Sequence, residues 1–79
     1  MKFKFVSLEE GFVPKVVDDF FTAWLHMYEW VKAKLDAGQL DWQLLETAIW
    51  IEQSGPKGTV PIYFYDARDR AIDAHNWKP

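Results

Sequence analysis

Between Val17 and Leu35 the large apolar side chains fall four and three residues apart: Val17, Phe21, Trp24, Tyr28, Val31 and Leu35. That spacing lines them along one stripe of an α-helix. Phe20, Met27 and Trp30 lie beside the stripe and widen it, while Asp18, Thr22, His26, Glu29, Ala33 and Asp36 trace the opposite side. The stretch from Asp18 to Gly38 therefore reads as one long helix. Pro14, Asp18 and Asp19 suit its first turn, Lys32 and Lys34 its negative dipole end, and Gly38 a left-handed stop. A helix this apolar must be covered by the rest of the chain.

The remaining segments are read by the same test. Lys2-Phe3-Lys4-Phe5-Val6 alternates with the period of a half-buried strand, Phe3 and Phe5 facing the core and Lys2 and Lys4 facing away. Residues 7–16 form a connection broken by Gly11 and Pro14, with Ser7 as a local cap and Phe12 and Val13 tucked under the domain edge. Asp41 caps a second, short helix over Trp42–Thr47. Carried on to Ser54, that helix puts Glu52 on its apolar face and Trp50 on its polar face. Residues 48–53 are read instead as a strand, with Ile49 and Ile51 on one side and Trp50 and Glu52 on the other. Residues 54–59 read as a turn-rich loop. Pro61–Tyr65 completes a hairpin, Ile62 and Phe64 inward and Tyr63 and Tyr65 opposite. Ala67, Ala71 and Ala74 are spaced for a terminal helix over residues 66–75. Asp66 is its N-cap, Asp69 stands at the capping-box position, Asp66 is spaced to pair with Arg70, and Trp77 folds back on the domain.

The expected fold is α+β: a small single domain over residues 1–79 with the order β-α-α-β-β-α. Its three-stranded antiparallel sheet packs on one long amphipathic helix. Two accounts of the sheet's far side fit equally well: the terminal helix covers it, or it is open.

Composition sharpens this picture. A chain of 79 residues buries only about 60–65% of its unfolded surface, so a core of small aliphatics is marginal. Six Phe, five Trp and three Tyr compensate, each buried ring removing roughly 150–250 Å² from water. With no cysteine there is no disulfide framework, no thiolate nucleophile and no cysteine metal site, which favours the cytoplasm. The N-terminal residues are too short and too alternating for a signal peptide, and no apolar run approaches the ~20 residues of a membrane span. The net charge of −3, with mixed signs, argues against phosphate-backbone binding as the main activity.

Candidate chemistry is sparse. His26 and Glu29, three apart on the long helix, can share a metal only with a third ligand such as Asp73 or His75, and a solvated helix face explains them better. His75, Asp73 and a serine lack any nucleophile context. Gly55-Pro56-Lys57-Gly58 lacks phosphate-loop spacing. No metal, cofactor or catalytic residue is assigned. The most informative constellation is the far face of the sheet, with Lys2, Lys4, Trp50, Glu52, Tyr63 and Tyr65, and Lys57 in the adjoining loop. Exposed aromatics ringed by charge suit a protein partner or self-association. The expected function is a non-catalytic interaction module, a small regulator or inhibitor acting by occlusion. The alternatives are single-stranded nucleic-acid binding, with Trp50, Tyr63 and Tyr65 stacking bases and Lys2, Lys4 and Lys57 on phosphate, and a small metal-dependent enzyme using His26 and Glu29.

Overall fold

The alternation of the N-terminal residues does produce a strand, β1, Lys2–Ser7. In the computed structural model, which describes all 79 residues, it is followed by β2 (Val16–Val17), α1 (Phe20–Asp36), a π-helical turn (Leu44–Ala48), β3 (Ile49–Gly55), β4 (Gly58–Tyr63) and α2 (Phe64–His75). The sheet has four strands, not three, in the order β2-β1-β3-β4, and every neighbouring pair is antiparallel. The extra strand takes Val16 from the expected connection and Val17 from the expected helical stripe, pairing Val17 with Phe3 and Val16 with Lys4. Val13 is exposed at 83%, so only Phe12 of the expected pair tucks in, edge-on to Phe5 at 5.2 Å.

Helix α1 starts at Phe20, later than the start between Pro14 and Asp18 that the sequence indicates, and Pro14 lies outside it. Asp19 is the N-cap, accepting from the Thr22 N–H and hydroxyl, both at 2.8 Å. The helix ends in a paired C-terminal motif. Gly38, at φ +69°, donates to Leu35 O at 3.0 Å, and Gln39 donates to Lys34 O at 2.8 Å. Phe20, Ala23, Trp24, Met27 and Val31 are its buried residues. The buried stripe is thus rotated from the expected one: Phe20 and Met27 are central, Phe21 and Tyr28 flank it, and Leu35 is exposed. Hydrogen bonds from Thr22 hold the Asp19 carboxyl below its ordinary pKa of 3.8. A lowered carboxyl contributes stability above its unfolded pKa and loses it as pH falls through the folded value. Asp19→Ala is therefore expected to lower Tm at neutral pH, and the gap from wild type to close as pH drops below 3.8, measured by thermal melts across pH.

The short helix and the strand after it are both present. Asp41 caps the turn, its carboxylate accepting from Gln43 N–H at 2.9 Å. The turn then widens to π geometry, which points Leu45 into the core at 1% exposure and delivers the chain into β3 at Ile49. β4 begins earlier than expected, because Pro56 and Lys57 alone make the turn between Gly55 and Gly58. It also ends earlier. Tyr63 is already the N-cap of α2, so Tyr65 lies in that helix and not on the sheet, and Asp66 is not its cap. Arg70 does not pair with Asp66. It donates to Gln53 at 3.0 Å and lies over Phe20 at 4.3 Å.

Phe3, Phe5, Ile49 and Ile51 share one face of the sheet and are buried with α1 residues and with Phe64, Ala67 and Ala71 of α2. Both helices therefore cover the same face. Past α2, Asn76 turns left-handed at φ 51° and Trp77 folds back, edge-on to Trp24 at 5.0 Å and to Tyr28 at 4.8 Å.

Candidate functional site

Pairing register fixes which residues share the other face, because directly opposed residues point the same way. Three rows cross it. The first is Val6, Trp50 and Tyr63; the second is Val16, Lys4, Glu52 and Pro61; the third is Lys2, Ser54 and Thr59. No helix packs there, so the open account of the sheet's far side holds. The rows grade from apolar to polar. Trp50 and Tyr63 are tilted against each other with ring centres 6.3 Å apart, and Tyr63 is 40% exposed. Beyond Val6, the Leu8 N–H continues the ladder to Ala48 O at 3.0 Å, and Leu8 stands 66% exposed at this apolar end.

The charges on the face are all partnered. Lys4 Nζ lies 3.4 Å from Glu52 Oε2, across a directly opposed pair. Lys2 pairs with Asp18, just past the end of β2. Ser54 and Thr59 share a hydroxyl hydrogen bond at 3.2 Å. Such exposed pairs contribute only about 0–1 kcal/mol each to stability. Their greater consequence is to leave the face neutral. Pro61 on the edge strand β4 lacks an N–H, which discourages addition of a further strand.

Of the expected residues, Lys2, Lys4, Trp50, Glu52 and Tyr63 come together on this face. Tyr65 is removed from it by the early start of α2, where its neighbour is Arg68, 5.4 Å over the ring. Lys57 sits at the hairpin tip, five residue pairs from Trp50 and so about 17 Å away along the strands. Val6, Leu8, Val16 and Pro61 belong to the face and are missing from the expected set. The β1 alternation carries the signal for Val6; nothing local marks Val16, whose strand is two residues long.

The other candidates stay apart. His26 and Glu29 line a shallow hollow with Phe12 and Lys15. His75 instead stacks on Phe20 at 6.0 Å and lies tilted against Phe21 at 5.0 Å, and no three His, Asp or Glu side chains gather to hold a metal. A cleft of about 290 Å³ beneath Leu8 is bordered by Glu9, Trp30 and Lys34. There Glu9 accepts from both Trp30 Nε1 and Lys34 Nζ at 3.0 Å, so its polar groups satisfy one another. No helix is long and apolar enough to cross a membrane.

The geometry defines a two-layer α+β domain, helices on one side, with the other side of its antiparallel sheet bare. No protein-family model, curated protein or solved structure matches the chain.

Proposed function

We propose that this protein is a non-catalytic interaction module that binds protein through the bare face of its sheet. The single observation that carries this is the uncovered row of Val6, Trp50 and Tyr63 beside a neutral ion pair. Trp and Tyr supply large contact area at low entropy cost and dominate interface hot spots. A domain of 79 residues with one flat recognition face works by covering a partner's surface, as a small regulator or inhibitor. We place it in the cytoplasm, its stability resting on aromatic burial in place of disulfides. Base stacking on this face is disfavoured: Lys2 and Lys4 are already neutralised by Asp18 and Glu52, and Tyr65 and Lys57 lie elsewhere.

Capture of partners from the native host by immobilised protein tests this. Trp50→Ala is expected to weaken capture by about 30-fold or more, the loss of a hot spot of at least ~2 kcal/mol. The fold should hold, since Trp50 is half-buried and outside the core, and a cross-strand pair contributes only about 1 kcal/mol. Binding should also be nearly flat with salt, where phosphate contacts lose orders of magnitude. Undiminished capture by Trp50→Ala overturns the proposal.

A further inference from the structure

Resting on that reading, we infer that the occupant of the bare face is a second copy of this chain, packed sheet to sheet about a two-fold axis. The axis runs parallel to the strands, between β1 and β3. These are the two central strands, and a rotation about that line lays each over the other in the partner copy. The residue rows then decide whether the two faces match.

They match in every row across the two central strands, and in the second row across all four, β2 being too short to oppose Tyr63 or Thr59 of the partner. The second row reads Val16, Lys4, Glu52, Pro61 from edge to edge, that is apolar, basic, acidic, apolar. Reversed on itself, it sets Lys4 against the partner's Glu52 and Val16 against the partner's Pro61. The two Lys4–Glu52 pairs become a square of alternating charge. In the first row Val6 meets the partner's Trp50, and beyond it Leu8 meets the partner's Ala48. In the third, Lys2 meets the partner's Ser54 hydroxyl. No like charges are opposed. A face with equal numbers of both signs has no reason to select a strongly acidic or basic partner, but this order of signs is complementary to itself. Dimerisation also shields Leu8 and Trp50 and gives a four-layer arrangement, helices outermost, with the sheets aligned as in a sandwich.

The area sets the strength. Three strands of six or seven residues and the two-residue β2, about 4.8 Å apart with ~3.3 Å per residue, give a footprint on the order of 330 Å² per copy. A standard interface buries roughly 800 Å² per partner, so this dimer is weak and reversible.

Sedimentation velocity of the full chain from about 10 μM to about 1 mM tests the inference, a range chosen for micromolar to millimolar affinity. The wild-type mass should rise from 9.3 kDa toward twice that value. Lys4→Glu and Glu52→Lys should each stay monomeric through that range, since each opposes like charges across the axis. An equimolar mixture of the two should dimerise at least as well as wild type. In the mixture each internal pair remains broken, so only charges facing across the interface account for rescue. Circular dichroism of each variant should match wild type. A wild-type chain that stays at 9.3 kDa at the highest concentration overturns the second copy as occupant, and needs no variant to do so. A dimer indifferent to either charge reversal, or unrescued by mixing, overturns the two-fold arrangement. These failures leave the broader reading to the Trp50→Ala capture test, which fails separately.

Discussion

Trp24→Ala is expected to unfold the domain at physiological temperature, or to leave it with a Tm lower by more than about 12 °C. Deleting a buried Trp to Ala costs about 3–5 kcal/mol, and each kcal/mol moves Tm by ~4–8 °C in a domain of this size. At about 0.05–0.15 kcal/mol per residue, a chain of 79 residues holds only about 4–12 kcal/mol in total. Trp24 sits where the long-range parts of the chain meet. Its ring lies 5.6 Å from Phe64 at the start of α2, 5.0 Å from Trp77 in the tail and 6.1 Å from Tyr28. Its removal opens the α1–α2 seam and releases Trp77 together. Trp24→Phe is expected to cost less than half as much. The indole N–H of Trp24 is fully buried with no hydrogen-bond acceptor, and an unsatisfied buried donor carries a penalty of about 1–3 kcal/mol. Phenylalanine loses contact area but removes that orphan donor. Chemical denaturation of the two variants separates these terms. If Phe proves as damaging as Ala, packing alone sets the value of this side chain.

The long helix is the part of the fold most legible in the sequence, since no other structure bears apolar residues at that spacing over five turns. Its exact facing is not. Reading by size puts Leu35 and Val17 on the buried stripe, whereas Ala23 is fully buried and Leu35 is 60% exposed. Small residues pass unnoticed in a search for large ones, yet Ala23, Ala67 and Ala71 are where the layers approach closely enough to leave no exposed surface. Strand β2 is illegible because two residues carry no period; only pairing with β1 makes it a strand. Tyr65 is misplaced for a related reason. The chain passes from β4 to α2 with no loop between Tyr63 and Phe64, so no turn residue announces the change. Phe64 points inward in either geometry, and the alternation runs two residues past the strand's end, through Tyr65.

Trp50 was the more readable site residue because two different local structures both place it off the core. Its neighbour Ile51 gives the second large effect, and the two together test the face assignment on which the proposed function stands. Ile51 is fully buried, opposed to Phe5 on β1 and to Ile62 on β4, at the centre of the sheet. Ile51→Ala is expected to cost about 2–5 kcal/mol, against about 1 kcal/mol for Trp50→Ala. The ordering inverts what side-chain size alone dictates, since tryptophan loses far more atoms. With a urea m-value of about 1–3 kcal/mol/M, the Ile51 variant should move the unfolding midpoint by roughly 0.7–5 M and the Trp50 variant by about 0.3–1 M, two to five times less at any one m-value. Partner binding should invert in the other direction, surviving Ile51→Ala under conditions where the variant remains folded and failing with Trp50→Ala. A slip of one residue in the pairing of β3 exchanges the two faces, carrying Ile49 and Ile51 out and Trp50 and Glu52 in. Equal destabilisation by the two substitutions, or a larger loss at Trp50, means that the tryptophan is part of the folding core and the sheet has no aromatic face to offer a partner.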